Sequence, residues 1–442
     1  MVKYYFILFF LTLLLDTVTY KVLKQRWLYW LVFGISTLGL VILLWNFFNR
    51  SFSFGDFGKA YYPAGDVILK NPSQLYGRSN GGEAQAFVNI PIVAFLFAPF
   101  SFFEVNKAYI LFTITGLITV ITNCYLLLKL TNISGWRKIF LLRFITFSGP
   151  LYYSFAEGNL SHFVLFLLTL AVICIQKKRD FWVGSLLAVA VVIKPPLFVL
   201  TFYYLLRKRW QVLVGFSTVL VAIVGASLLL FGVGLHLTWW ERCIQPSVGK
   251  PTALFNVQSL NGFLTRLLTN ADINLPHPLE VGWDFKLIRA ALVLLLLGGS
   301  IWVCFRSKRP TSLKVENLEF SIFLCLTLII SPISWTYYYA WLLLPLSLYL
   351  GNKLAISKGW GWFSLVTVSF MLMMPPVRLI ILPENPIVKF WMVKFLLSHC
   401  FYGGMLFLGT LLAARWVASE RSRRSKVMSQ QEQLTMLATS IR

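Results

Sequence analysis

LVGFSTVLVAIVGASLLLFGVG, residues 213–234, carries no charged side chain and no alternation of polar with apolar positions. About 20 such residues cross the ~30 Å hydrocarbon core of a bilayer as a helix. A lipid-facing strand would alternate with a period of two, and this run does not. In lipid every backbone N–H and C=O must pair within the protein, so the stretch reads as a transmembrane helix.

Similar runs recur along the chain. Of its 442 residues, 58% are hydrophobic and 13% charged, and the mean hydropathy is +0.73. Soluble domains carry about 25% charged residues, and one buried core cannot absorb so apolar a composition. The expected fold is all-α: a polytopic transmembrane helix bundle of about 12 spans, with a range of about 11 to 13. Expected spans lie near residues 27–48, 107–129, 139–155, 160–176, 211–233, 284–304, 318–333, 336–350, 359–376 and 390–416. Residues 181–206 hold two short apolar halves split by Lys194-Pro195-Pro196. Both of its ends are basic, so this segment is expected to go out and return, with Lys194 near the outer turn. The run 90–103 carries Pro91 and Pro99 and is short enough to dip into the membrane without crossing. Residues 4–20, interrupted by Asp16, suit a signal peptide, an extra span or an interfacial helix. A span follows closely, so cleavage is not expected.

Forty Lys and Arg against 16 Asp and Glu leave a net charge of +24. In a soluble protein that would suggest nucleic acid. Here the basic residues cluster between apolar runs, as the positive-inside rule requires of cytoplasmic loops, and no nucleic-acid partner is expected. Lys21, Lys24 and Arg26, Arg137 and Lys138, residues 177–179 and 207–209, Arg306, Lys308 and Arg309, Lys353 and Lys358, and Arg421, Arg423, Arg424 and Lys426 then all fall inside. Two long polar segments, about 49–90 and 235–283, fall outside. The domain reading is an N-terminal apolar segment with its basic stretch (1–26), a transmembrane catalytic domain (27–416) and a basic polar cytoplasmic tail (417–442). The protein is expected in the cell membrane, with its working site on the non-cytoplasmic side.

Polar residues converge on that outer level. Asp56 stands eight residues beyond the first secure span, where a carboxylate can take a proton from an acceptor hydroxyl. As a bare residue type it reads more readily as a helix cap or a solvated loop acid. Asp66, ten residues on, falls on a different helical face, so no acid/base pair is implied. Glu157, Asn159 and His162 lie at one outer helix junction, where His162 reads as a helix-end residue. Lys194 is costly if truly intramembrane, which suggests a role. Its alternative is snorkelling to the interface. The second outer loop supplies Asn256, Gln258 and Arg266, and the aromatics of 331–341 suit an interfacial belt. The six cysteines show no CxxC spacing and read as small core residues. No HExxH or Asp-rich metal motif and no Rossmann or P-loop glycine pattern occurs, so no cofactor is implied.

The segment GDFGKAYYPAGDVILKNPSQLY (55–76), then NIPIVAFLFAPFSFF (89–103), GNLSH (158–162), VVIKPPLFVL (191–200), NVQSLNGFLTR (256–266) and SPISWTYYYAWLLLPL (331–346), resembles glycosyltransferase family 87 in order and spacing. That family belongs to the GT-C class of multispanning transferases. The resemblance covers about residues 50–350. It implies a polyprenyl-phosphate hexose donor, usually of mannose, and a glycolipid or glycan acceptor on the outer face, with inversion at the anomeric carbon. It also implies Asp56 as general base. Lys194 and Arg266 are then the candidates to meet the departing phosphate, with Asn159, Asn256, Gln258 and Tyr338 as further substrate-binding candidates. Two departures stand out: Asn89-Ile90-Pro91 replaces the family's Tyr-Pro-Pro, and Thr336 stands where a His is common. Two other functions use the same outer polar residues: a lipid or polysaccharide flippase, and a ligase of preassembled lipid-linked glycan. The unequal polar segments and the lack of an internal repeat favour an enzyme over a two-repeat transporter.

Overall fold

A computed structural model describes residues 2–22, 27, 30–31, 33–39, 55–77, 87–274, 278–307, 310, 312–376, 380 and 382–440. The later half of the expected span 27–48 lies outside the described residues, as do Lys24, Arg26, Lys308 and Arg309. The same holds for the side chains of Arg423, Arg424 and Lys426.

The protein is all-α. Among the described residues no strand is longer than one bridge, Val257 to Trp335. α1 is Val2–Val22. A π-helical turn, Phe57–Tyr61, leads into α2, Tyr62–Lys70. Then come α3 (Val105–Thr131), α4 (Trp136–Thr146), α5 (Gly149–Ala156) and α6 (Ser161–Gln176). α7 (Asp180–Ile193), α8 (Phe198–Leu206) and α9 (Trp210–Trp239) follow. After α10 (Leu260–Leu268) come α11 (Trp283–Phe305), α12 (Leu313–Ile330), α13 (Leu343–Leu350) and α14 (Trp360–Met373). α15 (Pro386–Lys394) and α16 (His399–Ser440) end the chain, so the polar tail continues the last helix. Among the described residues, six helical stretches are long and apolar enough to cross a membrane, and four shorter apolar helices accompany them. The run 90–103 is broken into two short helices, Pro91–Phe95 and Ala98–Ser101. Each begins with proline at its first turn, where the missing N–H costs nothing.

α12 is the centre of the bundle, with every side chain from Asn317 to Ile329 buried. A helix apolar all round suits that position, and its one deep charge is matched. Glu319 accepts from Arg207, from Arg415 Nε at 2.8 Å and from the Tyr203 hydroxyl at 2.9 Å. α1 is tied down in the same way. A lone Asp16 in an apolar helix would be expensive, and Arg143 of α4 grips it, with Arg143 Nη2 at 2.8 Å from Asp16 Oδ1.

α7 and α9 pack at the closest approach two helices allow. The Gly184 backbone faces the Val212 carbonyl and Gly215 faces the Phe181 carbonyl, and a methyl group at either glycine would lie within about 2 Å of that oxygen. The start of α7 meets the end of the α8 hairpin through Asp180 and Arg209, 2.7 Å apart. The segment is therefore a hairpin that leaves and returns to the same end of the bundle, with Lys194 at the far turn.

The bundle has two distinct ends. Arg209 also pairs with Glu316 at the start of α12, the Ala355 N–H reaches the Lys314 carbonyl, and Gly351 packs on Thr131 at the end of α3. Arg137 reaches the Leu350 carbonyl at that same end. The other end carries the π turn, where Tyr109 of α3 lies over Gly58, and the Lys194 turn.

Candidate active site

The end opposite the basic clusters is organised around Asp56. The Asp56 and Phe57 N–H groups both donate to the Glu157 carbonyl, at 2.9 and 3.1 Å. The turn that receives them needs glycine: Gly158 has φ +64°, and a side chain there would run into Phe57. Asn159 follows. Its Oδ1 accepts from the Ser161 N–H at 3.0 Å and the Ser161 hydroxyl at 2.7 Å, which leaves only its Nδ2 to face the other way. That Nδ2 donates to Asp56 Oδ2 at 2.5 Å. The hydroxyl of Tyr337 also acts on the carboxylate and favours its charged form.

Lys194 is buried and completes the cluster. The proline after it excludes the helical conformation, and its backbone takes φ −136° and ψ 89°, which ends α7. Its ammonium lies 5.0 Å from the Tyr338 ring centre and 5.6 Å from that of Tyr337. Burial raises the Asp56 carboxyl above the usual carboxylate range, while the charge of Lys194, the Asn159 hydrogen bond and the Tyr337 hydroxyl oppose the rise. Asp56 keeps part of its surface open. Tyr61, stacked on Phe97 at 4.5 Å, and Tyr338 also feel its charge.

The aromatics of 336–342 are not a lipid-facing belt. They form a 3-10 helix, and Tyr337, Tyr338 and Tyr339 are all buried. In that helix residues three apart eclipse, which stacks Tyr338 on Trp341 at 4.7 Å. Asn256 sits at the edge. Its carbonyl accepts from the Thr336 N–H at 2.9 Å and its Nδ2 donates to the Tyr153 hydroxyl at 3.2 Å. Tyr153 stacks on Tyr337, and Asn256 Oδ1 is buried with no partner among the described residues. Thr336, where the resemblance had led one to look for His, uses its hydroxyl on that same Asn256 carbonyl.

Two expected contacts lie elsewhere. Arg266 donates to the Leu254 and Val257 carbonyls, each at 2.8 Å, and to the Ser398 hydroxyl at 2.9 Å, bracing the loop that carries Asn256. Gln258 donates to the Phe255 and Leu397 carbonyls, and its own carbonyl accepts from Tyr339 at 2.6 Å. Neither reaches the Asp56 cluster. Asp66 pairs with Lys70 on the surface of α2 at 2.7 Å. His162 is a packed residue, with Nδ1 2.9 Å from the Ser154 hydroxyl and its ring stacked on Phe155 at 4.5 Å.

Tyr337 and Tyr61 were not singled out as site residues, and Asn89 stood out only as a departure from the family's pattern. Asn89 donates to the Ile193 carbonyl at 3.0 Å, and its own carbonyl accepts from Tyr76 at 2.7 Å. The departure at Asn89 thus pins the proline loop to the helix end that presents Lys194. The hint lay in the side-chain amide itself, which the tyrosine of the family's pattern does not have. Among the described residues no group of three His, Cys, Asp or Glu side chains could hold a metal ion, and all six cysteines are free.

The family model of glycosyltransferase family 87 matches residues 87–332. That interval contains Asn159, Lys194, Asn256, Gln258 and Arg266; Asp56 and Tyr338 lie beyond its two ends. A polyprenol-phosphate-mannose-dependent alpha-(1-2)-phosphatidylinositol mannoside mannosyltransferase of Mycobacterium tuberculosis is 25% identical over 58% of this chain, which spans 60% of that relative's length. A pentamannoside mannosyltransferase of the same description from Mycolicibacterium smegmatis is 25% identical over 69% of this chain and 73% of its own. A mannoside mannosyltransferase of that organism is 24% identical over 70% and 71%. With its matched interval covering more than half its length, the chain belongs to glycosyltransferase family 87.

Proposed function

We propose that this protein transfers a hexose, mannose by its likeness to the relatives, from a polyprenyl-phosphate donor to a glycolipid acceptor, at the membrane face opposite its basic clusters. The observation that carries the reading is a carboxylate held by an amide and a phenol beside a buried lysine, at one end of a membrane-spanning bundle. The basic clusters mark the cytoplasmic side by charge bias, so the Asp56 end faces out.

The donor's tail stays in hydrocarbon while its sugar reaches the Asp56 cluster. Asp56 accepts the proton of the acceptor hydroxyl as that oxygen attacks the anomeric carbon from the face opposite the phosphate. The bond from the anomeric carbon to the phosphate oxygen breaks, the electron pair leaves with polyprenyl phosphate, and the configuration inverts. Lys194 offers the leaving phosphate a cation in a low-dielectric setting, where such a charge counts most. Asn256 Oδ1 is an acceptor for a sugar hydroxyl. The sequence resemblance named Arg266 and Gln258 as substrate contacts; their hydrogen bonds suit supports of the Asn256 loop better.

The test is incubation of purified protein with a panel of polyprenyl-phosphate hexoses and a glycolipid acceptor, scoring release of polyprenyl phosphate. Asp56→Asn is expected to abolish release by a protein that still folds and inserts. Full activity in that variant would remove Asp56 from the mechanism.

A further inference from the structure

A cleft of about 210 Å3 opens at the basic end of the bundle, between the start of α4, the end of α13 and the start of α14. Arg137 and Lys358 line it and no carboxylate does, with Trp136, Tyr349, Trp360 and Phe363 among its walls. It is not part of the Asp56 site. α3 runs from Tyr109, over Gly58 beside Asp56, to Thr131, against Gly351 beside the cleft. Twenty-two helical residues at 1.5 Å each separate the two by about 33 Å, the thickness of a hydrocarbon core.

We propose that this cleft holds the phosphate headgroup of an anionic phospholipid, in the leaflet opposite the Asp56 site. Two cations without a carboxylate partner in the lining are a phosphate-binding set, and a guanidinium takes phosphate oxygens in pairs. Arg137 is already oriented, because its Nη1 donates to the Leu350 carbonyl at 3.2 Å. A lipid, and not a soluble phosphate, is favoured by what flanks the charges. Trp136 and Trp360 are exposed at the mouth, as aromatics at a membrane interface are. From Trp360 an exposed apolar lane, Leu365 and Val368, runs along α14 in the direction acyl chains would take. Phe363 closes the inner wall by edge contact with Trp136 at 5.7 Å.

The test uses the full-length protein in nanodiscs of phosphatidylcholine with increasing phosphatidylglycerol. The readouts are lipids retained in native mass spectrometry and the thermal unfolding midpoint. One phosphatidylglycerol is expected to stay bound in preference to phosphatidylcholine and to raise the midpoint. The double variant Arg137→Ala with Lys358→Ala is expected to lose that lipid. Lys358→Ala alone, at an exposed side chain, is expected to weaken retention about fivefold, the effect of one cation near an anionic surface. Equal retention of the two lipids, or unchanged preference in both variants, would overturn the proposal. Inorganic phosphate without anionic lipid, added as a separate arm, is expected to leave the midpoint unmoved. A rise matching that from phosphatidylglycerol would overturn the lipid assignment.

Discussion

Asn159 Nδ2 donates to Asp56 Oδ2 at 2.5 Å across a separation of 103 residues, while Asn159 Oδ1 is committed to the N–H and hydroxyl of Ser161. The amide cannot turn over without losing the Ser161 bonds, so it presents a donor to the carboxylate at all times. A hydrogen bond to a charged group contributes about 1.5–3 kcal/mol. Asn159→Ala is therefore expected to reduce transfer by about 10- to 100-fold, on the same scale. A kcat within twofold of wild type would contradict the role.

Asp56 must be ionised to take a proton. Burial raises its carboxyl, so kcat/KM is expected to fall, as pH drops, through a value above the usual aspartate range of about 3.9. Lys194 opposes that rise. Lys194→Met is then expected to move the acid limb to higher pH as well as to lower kcat. Comparison of the two pH profiles checks both, and a limb that stays in place would separate Lys194 from Asp56.

Glu319 pairs with both Arg207 and Arg415 inside the bundle. Breaking a buried ion pair by removing one partner costs about 3–5 kcal/mol. Glu319→Gln is expected to lower the unfolding midpoint of the detergent-solubilised protein by several degrees or prevent its recovery. Lys70→Ala breaks the exposed pair with Asp66, worth about 1 kcal/mol or less, and is expected to leave the midpoint unchanged.

Gly184 and Gly215 let the backbones of α7 and α9 touch. Gly184→Leu is expected to separate these helices, displacing the Lys194 turn, and to yield aggregated protein in size-exclusion chromatography. Gly298→Ala in α11, where open space surrounds the glycine, is the matched control and is expected to elute as wild type.

Much of this protein was legible before any coordinate. Apolar runs such as 213–234 must be helices, because lipid offers backbone groups no other partner. The basic clusters are expected on one side from the sequence alone, because charge that cannot enter lipid collects at helix ends. Lys194 stood out because an ammonium near hydrocarbon needs a reason, and Asp56 through its place just beyond a span and the family resemblance. Tertiary structure alone decided which polar residues meet. Arg266 is as basic as Lys194, yet it spends its donors on the carbonyls of 254–257, and only the path of that loop reveals it. Tyr337 looks in sequence like any interfacial aromatic, and it is a 3-10 turn that buries it beside Asp56. Periodicity reports which face of an element is apolar. It carries no information about which two elements, 100 or more residues apart, close on one carboxylate, because that choice is made by side-chain packing between helices.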